Sequence, residues 1–249
     1  MNAIVRADRL AQFVDNAGAL APEANFHLNA DGLESTVVDP ANVGMVEQSL
    51  AAAAFESYEF DGGEIGVDLG RLDDVLGMAD SDDLVHLELD AGTRTLAIAF
   101  GGLEYTLALI DPDAIRQEPD VPDIGEELTA TLVCEARELQ HASTAAGLCS
   151  EHIAFGAKPG SEVLYAEAQG DTDDVRYEWD REDTREGTTV TASAHSTYSL
   201  DYITDVLKPV AASTETVLRV GTDVPMFIES EFADGHGHRK YMIAPRLEA

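Results

Sequence analysis

Apolar positions recur with a helical period in four stretches of the chain. The segment 68–76 places a capping carboxylate, Asp68, before apolar residues that share one helix face, and 199–207 repeats the arrangement with Ser199 as the cap. These patterns, with their neighbours, predict helices at about 6–17, 69–79, 137–148 and 200–209. Because the same unit occurs once in each half, the sequence predicts two similar domains in tandem.

Alternation of apolar and polar residues predicts strands around these helices. Leu84–Leu89 and Thr95–Phe100 alternate between two faces, which indicates strands near 84–90 and 94–100. A longer strand is predicted over Leu103–Ile110, with further strands through 25–60 in the first half and 151–195 in the second. The segment 111–127 interrupts this periodicity with three prolines, which favours a linker. We therefore expect domains at 1–110 and 128–249, joined by 111–127. Ile115, Val121 and Ile124 give this linker apolar side chains that a simple spacer would not need.

The charge balance indicates the solution conditions to which the protein is adapted. The chain has 48 acidic and 15 basic residues, a formal net charge of −33, and 45% hydrophobic residues. Disordered acidic chains lack such a periodic apolar pattern. The composition favours a folded protein adapted to molar salt, where charge repulsion is screened within about 3 Å. An acidic protein that binds a basic partner is the alternative.

The sequence offers no positive argument for catalysis or for a bound cofactor. Phosphate-binding loops, dinucleotide-binding glycine motifs, nucleophile elbows and zinc-protease motifs are all absent from it. Asp171–Asp174 is expected to be a solvated turn, and His236 and His238 to belong to a hairpin loop, so no metal site is predicted. The two cysteines, Cys134 and Cys149, are expected to be reduced, buried thiols. Without a signal peptide or membrane span, the expected location is the cytoplasm.

Three motifs give the chain a specific resemblance to known proteins. They are the loop Val38–Val46, the linker segment Gln117–Asp123 and the closing segment Tyr241–Arg246, which ends in Ala-Pro-Arg. Together with the internal repeat, they resemble archaeal sliding clamps of the proliferating cell nuclear antigen (PCNA) family over the whole chain. This resemblance implies an α+β fold, the DNA-clamp fold, in which two similar domains place helices along a ring and antiparallel sheets outside.

The resemblance implies a ring of three subunits joined edge to edge. The strand Leu103–Ile110 of one subunit would pair with the strand Val175–Trp179 of the next, which removes exposed sheet edges. Packing of Tyr177 and Trp179 inside one domain is the alternative. The expected interface residues are Leu103, Tyr105, Leu107, Leu109, Val175, Tyr177 and Trp179.

The resemblance also implies an apolar groove that binds short client peptides through one aliphatic and two aromatic anchors. The expected groove residues are Val38, Val43, Met45, Val121, Pro122, Pro225, Met242, Ala244 and Pro245. Basic residues on the four helices would face DNA, although acids outnumber bases there and ordinary exposed arginines are the alternative. These expected DNA-facing residues are Arg6, Arg9, Arg71, Arg137, His141 and Lys208.

The function implied is that of a non-enzymatic processivity factor. Such a clamp encircles duplex DNA as a homotrimer, binds it without sequence preference, and tethers DNA polymerase and other replication or repair proteins. A separate ATP-driven clamp loader would open the ring. The first alternative is a salt-adapted, two-domain interaction protein with the clamp fold that does not encircle DNA. A hydrolase that uses paired carboxylates is the second.

Overall fold

The chain divides into two units, each described here by itself. The computed structural model describes residues 1–59, 62–117, 124–160, 163–179 and 184–246. The first unit comprises Met1–Pro40, Met45–Pro119 and Glu231–Arg239, and the second comprises Ala41–Gly44, Asp120–Ser230 and Lys240–Ala249. Both units follow one order: a strand, a helix, five strands, a second helix and three strands. This common order confirms the predicted duplication. In this division the predicted linker 111–127 is shared between the two units, and the short segments 41–44 and 231–239 belong to the unit opposite to the one that their sequence position would give.

The four predicted helices are present and lie within a few residues of their expected bounds. They are α1 (Ala7–Gly18), α2 (Leu69–Leu76), α3 (Ala136–Ala146) and α4 (Leu200–Leu207). Asp68 caps α2, because its Oδ1 accepts a hydrogen bond from the Arg71 amide over 3.0 Å. Ser199 occupies the corresponding position before α4 but makes no side-chain cap there, so this part of the capping prediction is wrong. The first α4 amide, of Leu200, instead donates to the Glu151 carbonyl over 3.0 Å.

The first unit contains two runs of antiparallel strands, ordered β5-β1-β7-β8-β9 and β4-β3-β2-β6. Alternation is clearest in β7 and β8, where Val85, Leu87, Leu96 and Ile98 are buried. The strands are β1 (Asn2–Arg6), β2 (Glu23–Asn29), β3 (Gly32–Val38), β4 (Gly44–Ala51), β5 (Phe55–Glu59), β6 (Gly63–Asp68), β7 (Leu84–Asp90), β8 (Thr95–Phe100) and β9 (Leu103–Ala108).

The second unit repeats these two runs as β14-β10-β16-β17-β18 and β13-β12-β11-β15. Gln140 stabilises its helix pair, because Nε2 donates to the carbonyls of Leu207 (3.1 Å) and Val210 (2.9 Å). The strands are β10 (Leu128–Glu135), β11 (His152–Lys158), β12 (Val163–Gln169), β13 (Asp174–Trp179), β14 (Thr189–Val190), β15 (Ala194–Ser199), β16 (Glu215–Gly221), β17 (Met226–Phe232) and β18 (Gly237–Ile243).

Each unit has its own aromatic core beneath its helices. In the first, the Phe13 ring meets Phe26 edge to face, with centroids 5.1 Å apart. In the second, Phe155 lies 6.4 Å from Trp179 and 6.3 Å from Tyr198. Burial of such rings contributes about 1.5–3 kcal/mol each, and the apolar faces of the amphipathic helices supply the remaining cover.

The linker begins as a closely packed segment of the first unit. The predicted strand Leu103–Ile110 ends at Ala108, because the Ile110 amide turns to donate to the Gly66 carbonyl over 2.8 Å. Ile115 is 6% exposed, and a Cβ added at Gly66 would lie 2.8 Å from its Cδ1. Short 3-10 turns occupy Pro112–Ala114 and Gly125–Glu127. The burial of Ile115 explains why an apolar residue is present there, whereas Val121 lies outside the described residues.

Candidate functional site

Two surface segments of the second unit are fastened to neighbouring residues of β15. Tyr198 donates its hydroxyl to the Val224 carbonyl over 3.0 Å, directly before Pro225. The Thr197 carbonyl accepts the Arg246 amide over 2.7 Å, directly after Pro245. Burial raises the pKa of Tyr198 to about 12, so its hydroxyl remains a donor at neutral pH. One strand therefore holds the loop containing Pro225 and the tail containing Pro245.

A third segment, Ala41–Gly44, joins the tail through a backbone hydrogen bond. The Ala244 amide donates to the Val43 carbonyl over 2.8 Å. Met242 lies on β18 between the buried residues Tyr241 and Ile243, so its side chain points to the opposite, partly exposed face. We refer to the five half-buried apolar residues of these segments as the tail cluster: Val43, Pro225, Met242, Ala244 and Pro245.

The other predicted groove residues are placed differently. Val38 is half-buried at the end of β3 in the first unit. Met45 is only 2% exposed, so the expectation that its side chain lies on an exposed surface is wrong. It is the β-pair partner of Val38, and both it and Val46 belong to the buried part of β4. Val121 and Pro122 lie outside the described residues.

The predicted DNA-facing residues all lie on or beside the four helices. Arg6 directly precedes α1, Arg71 lies in α2, Arg137 and His141 lie in α3, and Lys208 follows α4. The side chains of Arg71 and Arg137 are 66% and 51% exposed, and His141 and Lys208 are exposed as well. Within each unit, the two helices pack against each other, so these residues belong to one helical layer per unit.

Most of these arginines already contact a carboxylate of their own unit. Arg6 pairs with Asp8 at 2.8 Å, which raises the pKa of Arg6, and Arg71 pairs with Asp68 at 3.3 Å. Arg137 pairs with Glu135. Exposed pairs of this kind contribute little stability and are screened by salt. The pairs lower the positive potential of the helical layer without removing the cations from it.

Arg9 differs from the other predicted DNA-facing residues because its side chain is only 16% exposed. Its Nη1 donates to the Ala54 carbonyl over 2.8 Å, and its Nη2 lies 3.2 Å from Asp234. These contacts fix the guanidinium within the first unit. The expectation that Arg9 is free to meet a phosphate is therefore not supported by its surroundings.

The two predicted interface strands, β9 and β13, each lie at the end of a sheet within the described part of the chain. There, β9 pairs only with β8, and β13 pairs only with β12. Tyr105 is 37% exposed on β9, and Leu103 on the same strand and Leu109 just after it are half-buried. On β13, Val175 and Tyr177 are half-buried. Each strand thus has one side on which no other described strand pairs with it, beside apolar side chains, and such a strand can pair with another chain.

Two predicted interface residues are instead core residues of a single chain. Leu107 and Trp179 are each 1% exposed. Trp179 packs between Phe155 and Tyr177, whose ring centroids lie 6.4 Å and 4.8 Å away. The alternative reading, packing inside one domain, is correct for Trp179. Both side chains are therefore already buried in the single chain, and contact with another subunit would not bury them further.

The remaining sequence candidates have structural roles. Asp171–Asp174 leads by bends into β13, His236 ends a 3-10 turn and His238 lies in β18 rather than in the predicted loop. Cys134 is buried, which raises its pKa to about 12, whereas Cys149 is only half-buried. Within the described ranges, no group of three or more histidine, cysteine or acidic side chains is arranged to hold a metal ion. None of the helices described is long and apolar enough to cross a membrane.

Sequence reasoning did not identify the residues that anchor the tail cluster. Tyr198 and Thr197 act through contacts with residues distant in the chain, and a strand pattern alone does not reveal such partners. The one available signal was a tyrosine on the buried face of β15, since a buried tyrosine hydroxyl generally has a hydrogen-bond partner.

Comparisons with known proteins agree with this geometry. Residues 3–106 match the family model described as the N-terminal domain of proliferating cell nuclear antigen. The chain is 50% identical to the DNA polymerase sliding clamp of Natronomonas pharaonis, with 99% of this chain and 98% of that protein covered. It is also 50% identical to the clamp of Haloarcula marismortui, with 100% and 99% covered. Both relatives come from halophilic archaea.

Solved structures extend the match to the whole fold. The chain superposes on A. fulgidus PCNA, solved with the C-terminal region of FEN-1 bound, with a TM-score of 0.90 and 33% identity, covering 100% of this chain and 99% of that one. PCNA from Thermococcus kodakaraensis gives a TM-score of 0.89 at 28% identity, covering 98% and 99%. The fold is therefore the α+β clamp fold with two similar domains. The chain belongs to the PCNA family of DNA polymerase sliding clamps.

Proposed function

We propose that this chain is a sliding clamp, a processivity factor that encircles duplex DNA and tethers DNA polymerase and other replication or repair proteins to it. The observation that carries the proposal is the full-length match to proteins named DNA polymerase sliding clamp, at 50% identity with 99% of this chain covered. The protein acts by topology and tethering and has no catalytic step of its own. A separate clamp loader supplies the energy that opens the ring.

The ring is a homotrimer in which β9 of one subunit pairs with β13 of the next. This pairing gives these two sheet ends a partner, and repetition of one heterologous contact closes a ring. Tyr105, Leu103 and Leu109 on one edge meet Val175 and Tyr177 on the other, all of which retain exposed surface in the single chain. Leu107 and Trp179 support these strands from within their own cores.

Client proteins bind at the tail cluster through short peptides. Its half-buried apolar residues come from a loop, a hairpin and the tail of the second unit. Hydrogen bonds from β15 hold the hairpin and the tail, and a backbone hydrogen bond joins the loop to the tail. An apolar pocket with fixed backbone suits a peptide that inserts a few aliphatic and aromatic anchors. The A. fulgidus relative is known with a FEN-1 C-terminal region bound, which supports this kind of partner.

DNA passes along the helical layers with weak, sequence-independent contacts. Arg71, Arg137 and Lys208 meet phosphates, and Arg6 and His141 lie beside them on the same layers. Contacts to phosphate lose strength as salt rises, because less free energy is gained from counterion release. A closed ring remains on DNA without tight binding. A weakly basic lining therefore suffices in molar salt.

The decisive experiment measures retention on DNA of different topology. The clamp is loaded onto nicked circular DNA with a clamp loader and ATP, and is then passed through gel filtration in molar KCl. We expect the clamp to elute with circular DNA and to separate from the same DNA once a restriction enzyme has linearised it.

The alternative, an interaction protein that keeps the fold without encircling DNA, predicts the opposite result. Such a protein would separate from circular and linear DNA alike, although it would still bind client peptides. No observation in the structure favours that alternative, and the full-length identity to named clamps weighs against it.

A further inference from the structure

The first part of the linker is fastened to the first unit at three successive points. Arg94 and Asp111 form an ion pair at 2.7 Å. Asn25 donates to the Pro112 carbonyl over 3.2 Å. Arg116, the third point, donates from Nη1 to the Pro40 carbonyl over 2.8 Å, with the Asp39 carbonyl 3.4 Å away. Arg116 is thus the last of these fastenings before the described part of the linker ends at Gln117.

The position of Pro40 gives the Arg116 contact its significance. Pro40 lies three residues before Val43 in the loop Asp39–Val43, and the Val43 carbonyl accepts the Ala244 amide over 2.8 Å. One end of this five-residue loop is therefore held by the linker, through Arg116, and the other end by the tail. Asn42 within it has a positive φ of 58°, a conformation that few side chains favour.

We propose that Arg116 is a positioning residue for client binding, which fixes the loop Asp39–Val43 so that Val43 is ready to receive a peptide anchor. The proposal rests on the proposed function, since it requires the tail cluster to bind peptides. Arg116 does not touch the peptide. Arg116 restrains the loop before the peptide binds, so the loop loses less conformational entropy on binding. Such pre-organisation raises affinity.

The chemistry of the contact suits a protein adapted to high salt. Arg116 donates to neutral backbone carbonyls, so its hydrogen bond loses less strength on screening than an ion pair does. The Arg94–Asp111 pair on the same linker joins two exposed, opposite charges, with side chains 63% and 45% exposed. Arg94 therefore provides a matched control: an arginine that contacts the linker but not the loop.

The test compares Arg116→Met, Arg116→Lys and Arg94→Met with the unaltered protein. The probe is a synthetic peptide from the FEN-1 C-terminal region, titrated by calorimetry in molar KCl. We expect Arg116→Met to bind about three- to tenfold more weakly, which corresponds to the net contribution of one ordinary intramolecular hydrogen bond. Arg116→Lys, which keeps a donor, should recover part of that affinity. Arg94→Met should bind as the unaltered protein does.

Two further measurements separate positioning from general stability. The thermal midpoint and the trimer mass of Arg116→Met should match those of the unaltered protein. Amide hydrogen exchange in the loop Asp39–Val43 should be faster in the peptide-free variant, and the peptide should remove this difference. A mutation that only weakens the fold would lower the midpoint and speed exchange throughout the first unit.

The outcomes are distinguishable. If the unaltered protein does not bind the peptide, the proposed client site fails, and the role of Arg116 fails with it. If the unaltered protein binds and Arg116→Met binds equally well, only the positioning role is overturned. Equal weakening of peptide binding by Arg94→Met would also overturn the positioning role, because any loosening of the linker would then be sufficient to lower the affinity.

Discussion

Arg239 donates a hydrogen bond from Nη1 to Oδ1 of Asn16 over 2.7 Å, and both side chains are buried. Asn16 in turn donates to Oε1 of Gln48 over 3.2 Å, and Gln48 donates to the Phe13 carbonyl over 2.9 Å. This chain of hydrogen bonds connects the segment Glu231–Arg239 to α1 within the first unit. A charged group only 2% exposed requires such partners, because burial without them is costly.

We predict that Arg239→Met lowers the free energy of unfolding by about 1–3 kcal/mol, because Asn16 loses a buried donor that water does not replace. The measurement is urea unfolding at fixed molar KCl and fixed protein concentration, since oligomer stability depends on concentration. Arg94→Met is the matched control. Arg94 pairs with Asp111 at 2.7 Å, but the two side chains are 63% and 45% exposed, so the loss of this pair should change stability little. Equal losses in the two variants would contradict the role assigned to the buried network.

Local patterns were sufficient to predict the helices and the duplication, because both depend on the spacing of apolar residues within short segments. The bounds of α1, for example, differ from the prediction by one residue at each end. Positions fixed by distant partners were not predictable in this way. Nothing near Arg239 in the sequence indicates Asn16, and nothing near Tyr198 indicates Val224.

The sequence pattern also did not predict which residues of a strand are buried within their own chain. Leu107 and Trp179 each follow a polar residue in their strands, but this alternation does not distinguish a face toward the core from a face toward another subunit. Met45 illustrates the same difficulty for the groove, because the sequence pattern does not distinguish a residue of an exposed loop from one near the start of a buried strand. Resemblance to the family supplied the site, and the structure corrected which side chains remain exposed.

Alkaline pH should destabilise the protein between about pH 9 and pH 12. Burial raises the pKa of Cys134 from 9.0 to about 12 and that of Tyr198 from 10.0 to about 12. In this range the unfolded chain releases protons that the folded chain retains, so the free energy of unfolding falls as pH rises. Cys134→Val and Tyr198→Phe should each make the free energy of unfolding fall less steeply with pH. We propose unfolding measurements across this range, with Cys149→Val as the control. An unchanged slope in both variants would contradict the assignment.

We predict that the trimer becomes more stable as salt rises, whereas a complex held by ion pairs becomes less stable. Each subunit carries a net charge of −33, so bringing three together costs electrostatic free energy that salt screens. The contacts proposed between β9 and β13 of the next subunit are hydrogen bonds and apolar packing, and salt does not screen these as it screens charge repulsion. Light scattering should show three chains per particle at about 2–3 M KCl, with dissociation as salt is lowered. A monomer in high salt, or a trimer that dissociates as salt rises, would refute the prediction.

The helical layers should contribute to DNA contact collectively. Replacing Arg71, Arg137 and Lys208 together by Ala should shorten loader-dependent polymerase products and lower the slope of log affinity against log salt by about 2–3. Each single replacement should have little effect. A control that removes the same charge elsewhere, at Arg94, Lys158 and Arg219, should leave the slope unchanged. If both triple variants behave alike, net charge rather than the helical layer determines contact.

The tail cluster should bind client peptides through a few apolar anchors. Val43→Asp places a carboxylate among half-buried apolar residues, and Ala244→Arg fills the space beside them, while both variants keep the backbone hydrogen bond between these residues. Loss of one or two anchors weakens binding by about 1–3 kcal/mol each, which is roughly five- to 150-fold per anchor. Calorimetry with the FEN-1 peptide in molar KCl should therefore detect little or no binding, with the trimer mass unchanged.

The control for this prediction carries the same substitution at an exposed alanine of the same unit. Ala192→Arg lies in the turn after β14, where its side chain is exposed. It should bind the peptide as the unaltered protein does, because added positive charge is screened in molar salt and apolar contact is not. Unchanged affinity in both Val43→Asp and Ala244→Arg would show that peptides bind elsewhere. Weakening in Ala192→Arg as well would show that charge, not the shape of the tail cluster, determines affinity.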